Sequence, residues 1–380
     1  MPRLTPRLEG LLVLLFVLVV AVPLVGTIVG AGGEALADEN RSPAPFPPVS
    51  LSWKDLSAWP NGFSRYFADH FAGRTALVRW QARVRVQLLH TSSAHDVMLG
   101  RDGWLFYGDR ASVADYAGAP PMTPAELEDW RQTLQHTHDW LAARGIRFVF
   151  VIGPDKYAIY PEYMPAAIRR IGETTHVDQL VSYLRDRSTV TVVDPRLPMA
   201  AAKAFDRLYH VTDTHWNARG AFIAYQQIMD RLDLPGVPPT KGRLEFEARS
   251  ATVRGKDLAG LLGLRSVLRE EDQLLVSRAA RRATVVEPAG GQPTDDVPRI
   301  VTTREGALPR LVVFRDSFGS ALVPFLSEHF SRAVYLWQGN VDLSVIEAEH
   351  PDVVIQEWVG RLLGEVPPYD EVAARAAAQK

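Results

Sequence analysis

The apolar positions of this 380-residue chain follow two different periods, and the two kinds of segment alternate along the sequence. Residues 146–152 form a nearly continuous apolar run, as expected for a strand that is covered on both faces. Apolar runs that predict further strands lie at 190–193, 311–314, 333–337 and 352–356. Segments that predict helices lie between them, at 123–144, 176–187, 218–231, 319–329 and 342–348. This alternation predicts an α/β fold with a mainly parallel sheet and helices on both faces.

Both ends of one predicted helix carry clear local signals. Thr123 suits the N-cap, Pro124 the first helical position, and Glu126 the position that completes a capping box. Gly145 predicts the end of the same helix, because glycine readily adopts the left-handed conformation found there.

Three regions lie outside the regular alternation. Residues 62–90 are predicted to be helical, and residues 98–107 to form two short strands around a turn. Residues 236–305 contain clusters of Pro, Gly and charge, which we interpret as an insertion or irregular lobe beside the sheet. The main domain is therefore predicted over residues 61–363, with a C-terminal tail at 364–380.

The N-terminus predicts export. Arg3 and Arg7 precede an uncharged run at residues 10–31, which is long enough to span a bilayer and would leave residues 1–9 in the cytoplasm. A cleaved signal peptide is the alternative, because Ala35-Leu36-Ala37 resembles a cleavage site, but the run exceeds the usual length of such signals. We favour a single-pass anchor in the inner membrane, followed by a linker at 32–60. Both interpretations place the main domain in the periplasm.

Composition excludes several classes of protein. The formal net charge is −2, and the sequence shows no basic tail or stripe, so nothing indicates nucleic-acid binding. The absence of cysteine excludes disulfides, thiol catalysis and cysteine-based metal sites. No other metal-ligand cluster and no cofactor motif is evident, and we predict neither a metal nor a cofactor.

Asp213, His215 and Ser317 are the candidate catalytic residues. Residues i and i+2 of an extended segment point to the same side, so Asp213 can orient the His215 imidazole. Ser317 follows the apolar run 311–314 and precedes a predicted helix, which places it at the carboxyl end of a strand. This set predicts a serine nucleophile, a histidine base and an oxyanion held by the following amides. An Asx turn at Asp213 and a helix N-cap at Asn217 are the simpler alternatives.

Residues at other strand ends are candidates for substrate binding. Trp337, Gln338 and Asn340 follow a predicted strand and could line the ligand crevice, although Trp337 could equally be a core residue. Lys156 could contact an anionic substrate or pair on the surface. Arg315 could contact substrate or, with Asp316, support the nucleophile turn.

Several segments occur in an order that is specific in combination. They are Asp69-His70-Phe71 with Arg74, Gly103-Trp104-Leu105-Phe106, Pro154-Asp155-Lys156 with Tyr160-Pro161-Glu162, Asp213-Thr214-His215-Trp216-Asn217, Arg315-Asp316-Ser317-Phe318, and Pro351-Asp352-Val353-Val354-Ile355. In this combination the chain resembles the SGNH-hydrolase-like domain of the alginate O-acetyltransferases of the AlgJ and AlgX type. The predicted anchor resembles the AlgJ branch.

The resemblance implies an SGNH-hydrolase-like, flavodoxin-like fold in which the Asp-His pair precedes the serine, an order permuted relative to ordinary SGNH esterases. It implies that Ser317 is the nucleophile, His215 the base and Asp213 its orienting partner. It further implies a polysaccharide acceptor and an acetyl donor supplied by a membrane-bound O-acyltransferase partner. The chain departs from the family at Gly360, where an acidic residue is expected beside Glu357 and Arg361.

Three functions remain open at this point. The leading hypothesis is an extracytoplasmic O-acetyltransferase that acts on an exported polysaccharide. The second is a polysaccharide O-acetylesterase with the same triad, and the third is a non-catalytic subunit of a modification or secretion complex.

Overall fold

The computed structural model describes residues 6–28, 43–48, 52–232, 234, 246–277, 281–288 and 297–378. The chain divides into two compact units, one comprising Met1–Val97 with Gly255–Leu268 and the other Met98–Arg254 with Arg269–Lys380. Parts of the predicted linker at 32–60 and of the insertion at 236–305 lie outside the described residues. The predicted limits of the main domain and of the tail therefore stay predictions.

The described residues contain the following helices and strands. The α-helices are α1 (Pro6–Ile28), α2 (Trp53–His70), α3 (Arg74–Arg83), α4 (Arg110–Ala117), α5 (Pro124–Ala142), α6 (Lys156–Ile159), α7 (His176–Arg187), α8 (Arg196–Ala202), α9 (Ala218–Leu232), α10 (Asp257–Leu261), α11 (Val323–Leu326), α12 (Leu343–Glu349) and α13 (Glu371–Ala378). The strands are β1 (Val97–Leu99), β2 (Leu105–Tyr107), β3 (Arg147–Gly153), β4 (Thr191–Val193), β5 (Phe246–Arg254), β6 (Arg269–Ser277), β7 (Thr284–Glu287), β8 (Arg299–Thr303), β9 (Arg310–Arg315), β10 (Arg332–Trp337) and β11 (Val353–Val359).

The first unit is mainly helical in its described residues. The helical segment predicted at residues 62–90 is divided between α2 and α3, because Gly73 between them adopts a left-handed φ of +80°. After α3 the chain continues in a π-helical turn, Val84–Leu88. Phe46 packs against the rings of Trp59, Phe63 and Tyr66 and so holds the segment before α2 against that helix.

The predicted membrane anchor at residues 10–31 is not supported by the structure. Among the residues described, no helix combines the length and the apolar composition that crossing a membrane requires.

The second unit contains the predicted α/β architecture. In its described residues, seven strands form one sheet in the order β4-β3-β11-β9-β10-β8-β7. The five strands from β4 to β10 in this order are parallel to one another. β8 pairs antiparallel with β10, and β7 pairs antiparallel with β8. The mainly parallel sheet that the sequence predicts is therefore confirmed.

Alternate residues of the central strands enter two separate cores. Val149 and Val151 of β3 pack with Val313 and with the apolar side of α9 on one face of the sheet. Phe148 and Phe150 pack on the other face with the buried side chains of α5 and α7. Both faces are thus covered by helices, which explains why the central strands are apolar throughout.

The irregular interpretation of residues 236–305 needs correction. β5 and β6 form a regular antiparallel ribbon, and β7 and β8 belong to the central sheet itself. The Pro and Gly clusters are therefore interrupted by four strands. The helix predicted at 319–329 is also divided. It consists of the 3₁₀ turn Phe318–Leu322, the short helix α11 and the 3₁₀ turn Ser327–His329. Pro324, which has no N–H to donate, lies at the start of α11.

Parallel pairing brings the carboxyl ends of four strands to one edge of the sheet. β3 ends before Asp155, β9 before Ser317, β10 at Trp337 and β11 before Arg361. Ligands of open α/β sheets bind at this edge, and the candidate functional residues lie there.

We predict that Thr123→Ala lowers the free energy of unfolding by about 1 kcal/mol, because it removes an N-cap. The Thr123 hydroxyl accepts from the Glu126 amide at 3.2 Å, and the Glu126 carboxylate accepts from the Thr123 amide at 2.7 Å. Urea unfolding followed by circular dichroism measures the change. Thr123→Ser keeps the hydroxyl and is the matched control, so equal losses in both variants would contradict the capping role.

Candidate active site

The His215 ring lies between the side chains of Asp213 and Ser317. Its Nδ1 is 2.8 Å from Asp213 Oδ1, and its Nε2 is 2.8 Å from Ser317 Oγ. We assign the ring proton to Nδ1 because the Asp213 carboxylate can only accept, which leaves Nε2 free to accept from the Ser317 hydroxyl. The three predicted residues therefore form one hydrogen-bonded chain, although His215 and Ser317 are 102 positions apart.

The Asp213 carboxylate is held in its ionised form. Burial by itself would raise the pKa of Asp213, but the hydrogen bond and charge of His215, together with the charge of His210, hold that pKa well below its usual range. An ionised Asp213 stabilises a protonated His215, which is what a serine mechanism requires of this position.

The simpler interpretations of the same segment are also present. Asp213 Oδ1 accepts from the His215 amide at 3.3 Å, so the carboxylate makes an Asx turn as well as the imidazole contact. Asn217 Oδ1 accepts from the amides of Arg219 and Gly220 and caps α9. These local bonds and the contact with Ser317 coexist.

A tight loop presents Asp213 and His215. Tyr209 and Trp216 pair across the base of the loop, and the Asn217 amide donates to the Leu208 carbonyl at 2.8 Å. The buried Trp216 indole donates to the carbonyl of Phe318 at 3.1 Å, and Phe318 directly follows Ser317 in the chain. Trp216 therefore joins the histidine loop to the serine turn.

Asp316 and Arg315 brace the turn that carries Ser317. Asp316 accepts from the Phe318 amide at 2.8 Å and from the Val359 amide at 2.7 Å. Arg315 is completely buried and donates to Ser320 Oγ at 2.8 Å and to the Val297 carbonyl at 3.0 Å. These contacts fit the predicted supporting role. The guanidinium of Arg315 is enclosed by the protein, and its contact with substrate stays a prediction.

The predicted oxyanion donors need one correction. Because the Phe318 amide is bound by Asp316, it is not available to a substrate oxygen. The amides of Ser317 and Gly319 remain as candidates at this turn.

Lys156 holds the histidine loop and does not point to solvent. Its buried ammonium donates to the backbone carbonyls of His210 at 2.9 Å, of Val211 at 3.1 Å, and of Asp213. Burial lowers the pKa of Lys156 to about 7, against the opposing charges of Asp213 and Glu270. Loop carbonyls thus occupy the three donors of Lys156, and its contact with an anionic substrate stays a prediction.

A buried ion pair near Ser317 was not predicted from the sequence. Arg361 donates to Asp155 Oδ1 at 2.7 Å through Nη1 and to Oδ2 at 2.7 Å through its backbone amide. Its guanidinium lies 5.8 Å from the centre of the Phe318 ring. Burial raises the pKa of Asp155 to about 6, although Arg361 opposes the shift. Asp155 thus supplies the acidic partner that is absent at Gly360.

Strand β6 supports the histidine loop from its other side. His210 Nδ1 lies 3.3 Å from Glu270 Oε1 and 3.3 Å from Asp272 Oδ1. Glu270 Oε2 also accepts from the Thr212 amide at 2.9 Å. The sequence contained no signal for these contacts, because β6 lies in the segment interpreted as an insertion.

The three remaining predicted residues lie one strand away from the nucleophile. Trp337 is the register partner of Arg315, is 40% exposed, and its ring lies 5.0 Å from the Arg315 guanidinium. Gln338 is exposed, and its amide nitrogen donates to the Asn340 carbonyl at 3.1 Å. Their contact with substrate stays a prediction.

Comparison with known proteins identifies the family. A family model described as "SGNH hydrolase-like domain, acetyltransferase AlgX" matches residues 97–336, which is more than half of the chain. The chain therefore belongs to this SGNH-hydrolase-like acetyltransferase family, as its motifs predicted.

The relatives confirm the AlgJ and AlgX type. The chain is 31% identical over 140 residues to a probable alginate O-acetylase AlgJ of Pseudomonas putida, covering 35% of this chain and 33% of the relative. A second AlgJ, of Pseudomonas syringae pv. tomato, is 29% identical over 176 residues, covering 45% of this chain and 41% of the relative. The alignments thus span less than half of these relatives.

A solved structure supports the fold. Bacillus cereus PatB1 with a sulfonyl adduct matches with a TM-score of 0.53 and 20% identity, covering 71% of this chain and 96% of that chain. At this identity the match concerns the fold alone.

We predict that Lys156→Met changes how stability depends on pH. The folded-state pKa of about 7 lies below the ordinary value of 10.5, so between these pH values the unfolded chain binds the extra proton. The free energy of unfolding of the wild type, minus that of Lys156→Met, should therefore rise with pH above about 7, by at most about 1.4 kcal/mol per pH unit.

Urea unfolding at pH 7, 8 and 9 measures this difference. Lys203→Met, which removes a partly exposed lysine bound to Glu162, is the control. A constant difference between the wild type and Lys156→Met would show that the buried lysine keeps its proton.

Proposed function

We propose that this protein is an O-acetyltransferase that moves an acetyl group through a Ser317 acyl-enzyme to hydroxyls of an exported polysaccharide. The observation that carries the proposal is the Asp213–His215–Ser317 chain, with two contacts of 2.8 Å, in a member of the AlgX acetyltransferase family. The alginate O-acetylase names of the relatives support acetyl transfer to a polysaccharide.

The first half of the reaction forms the acyl-enzyme. His215 Nε2 takes the proton from Ser317 Oγ as the oxygen attacks the carbonyl carbon of a donor acetyl ester. The tetrahedral intermediate then collapses, the donor C–O bond breaks, and His215 returns the proton to the departing alcohol. Asp213 stabilises the imidazolium through the 2.8 Å contact at Nδ1.

The second half repeats this chemistry with a sugar. His215 takes the proton of a sugar hydroxyl, whose oxygen attacks the acetyl carbon, and Ser317 leaves and regains a proton. The amides of Ser317 and Gly319 would hold the oxyanion in both halves, and each such donor is typically worth about 10²–10³ in rate.

An O-acetylesterase is the second candidate. The His215 side chain is 19% exposed, so water can approach the imidazole that would activate it. Transfer requires that a bound sugar competes successfully with water for the acyl-enzyme. A non-catalytic subunit is a weaker alternative, because a scaffold does not need a complete chain of hydrogen bonds at Ser317.

The location and the donor belong to the same proposal. The uncharged run at residues 10–31 after Arg3 and Arg7 supports export to the periplasm. An acetyl donor supplied by a membrane-bound O-acyltransferase partner is consistent with a chain in which no cofactor motif is evident.

We predict that Ser317→Ala and His215→Ala each reduce acetyl transfer at least about 10³-fold, because each removes a group that handles the transferred proton or the acetyl. The full-length protein is incubated with an acetyl ester and oligosaccharides, and acetylated sugar is followed by mass spectrometry. Ser331→Ala is the control, because that hydroxyl bonds only weakly, at 3.3 Å, to the Pro309 carbonyl.

The products separate the candidate functions. Acetylated sugar that disappears in both variants supports the transferase, whereas free acetate alone, lost in the same variants, supports the esterase. Turnover that survives in Ser317→Ala would contradict both.

A further inference from the structure

An open groove of about 510 Å³ lies outside the triad, between the loop that follows β10 and the C-terminal helix α13. Gln338, Asn340 and Asp342 line it from the loop. Tyr369 and Arg375 line it from the other side. Gln338 and Asn340 were predicted to bind substrate, and the groove places them opposite the chain's last aromatic residue.

The loop side of the groove is held rigidly by β11. The Gly339 carbonyl accepts from Gln356 Nε2 and from Trp358 Nε1, both at 2.7 Å. A Cβ atom at position 339 would lie 2.4 Å from the Trp358 ring, so only glycine permits this approach. A surface ordered in advance in this way loses little entropy when it binds a ligand.

The far side of the groove is fastened to the same loop. The Tyr369 amide donates to Asn340 Oδ1 at 3.3 Å, and the Leu343 amide donates to Glu371 Oε2 at 3.1 Å. The segment that carries Tyr369 is therefore held across from Gln338.

The side chains of the groove suit a sugar. Tyr369 is 56% exposed, although a large aromatic ring is usually buried, and Gln338 is exposed beside it. A sugar ring has a C–H face that stacks on an aromatic ring and a rim of hydroxyls that bond to amides and phenols. Trp337, 40% exposed, adds a second aromatic surface at the end of β10.

The charges of the groove disfavour an anionic sugar. Arg375 is the cation that lines it in the described residues, and its guanidinium already donates to Glu347 at 2.9 Å and to Glu371 at 3.1 Å. Asp342 and Glu371 contribute two carboxylates to the same surface. The repulsion between these carboxylates and a uronate would oppose its binding.

Two cations that the sequence offered for substrate binding, Lys156 for an anionic substrate and Arg315 for a contact of no stated charge, point into the protein. Lys156 bonds to three loop carbonyls, and Arg315 is completely buried. Neither presents an exposed charge to a carboxylate on an acceptor.

The groove and the nucleophile share one edge of the sheet. Trp337 is the register partner of Arg315, and Ser317 follows Arg315 by two residues. Neighbouring strands are about 4.8 Å apart, so the start of the groove lies one strand from the nucleophile turn. A polymer chain is long enough to contact both.

We propose that this groove is an acceptor subsite for a neutral polysaccharide, with Tyr369 and Gln338 as its contact residues. The inference rests on the proposed acetyl transfer and adds the class of acceptor. Uronate polymers, including the alginate of the relatives' names, are then poor acceptors for this chain.

The test compares acceptors of equal length and different charge. Cellohexaose is the neutral probe, hexamannuronate the anionic probe of equal length, and cellobiose a short neutral probe that can make fewer contacts in the groove. For the full-length protein we expect a lower KM for cellohexaose than for either of the others. Addition of salt should leave the KM for cellohexaose unchanged, because an uncharged ligand is not screened.

Tyr369→Ala should raise the KM for cellohexaose about tenfold, as expected for the loss of one stacking contact. Release of acetate from a small ester in the absence of sugar should stay unchanged. Tyr369→Phe should keep most of the wild-type affinity. Phe205→Ala, which removes an aromatic residue that is 87% exposed after α8, is the matched control.

Direct binding separates failure of the subsite from failure of the proposed function. Calorimetry with Ser317→Ala, which cannot turn over, gives the Kd for cellohexaose. Adding Tyr369→Ala to this variant should raise the Kd about tenfold, as it raises the KM. An unchanged Kd and KM in Tyr369→Ala, or tighter binding of hexamannuronate, overturns the subsite even if transfer occurs. If cellohexaose binds in a way that depends on Tyr369 but no turnover depends on Ser317, the proposed transferase activity is overturned and the subsite is not.

Discussion

The contact between the buried Lys156 ammonium and three carbonyls of the histidine loop is the interaction on which the site depends. His215 meets Asp213 and Ser317 at once only if this loop keeps its shape. Burying a charge is costly, and the carbonyls of His210, Val211 and Asp213 offset that cost by replacing water. The residue before Lys156, Asp155, binds Arg361 next to the nucleophile turn, so one strand end supports both halves of the site.

The same arrangement explains why membership of the family does not decide the acceptor. The triad and its supports are buried or half-buried, and none of their contacts depends on an acceptor. In the proposed function, choice among acceptors belongs to the exposed surface at the end of β10, where Trp337 and Gln338 lead into the groove lined by Tyr369. Its carboxylates and its already paired Arg375 distinguish this surface from one suited to a polyuronate.

The segment first interpreted as an insertion takes part in the architecture. β8 and β7 extend the central sheet, and β6 brings Glu270 and Asp272 to His210. The histidine loop is thus held from two directions, by Lys156 from the sheet and by β6 from the ribbon. Changes in β6 are expected to act on the base even though no residue of β6 belongs to the triad.

The sequence by itself determined the features that depend on near neighbours. The ends of α5 and the buried β3 follow from capping and apolar runs, and the structure contains both. The pairing of Asp213 with His215 is also present, but a bend with an Asx turn brings the two side chains together, not the extended segment that the sequence predicted. Only the tertiary structure decided which way Lys156 and Arg315 point, because their acceptors lie up to 57 residues away along the chain. The Asp155–Arg361 pair joins positions 206 residues apart, so only the parallel pairing of β3 and β11 brings the two charges together.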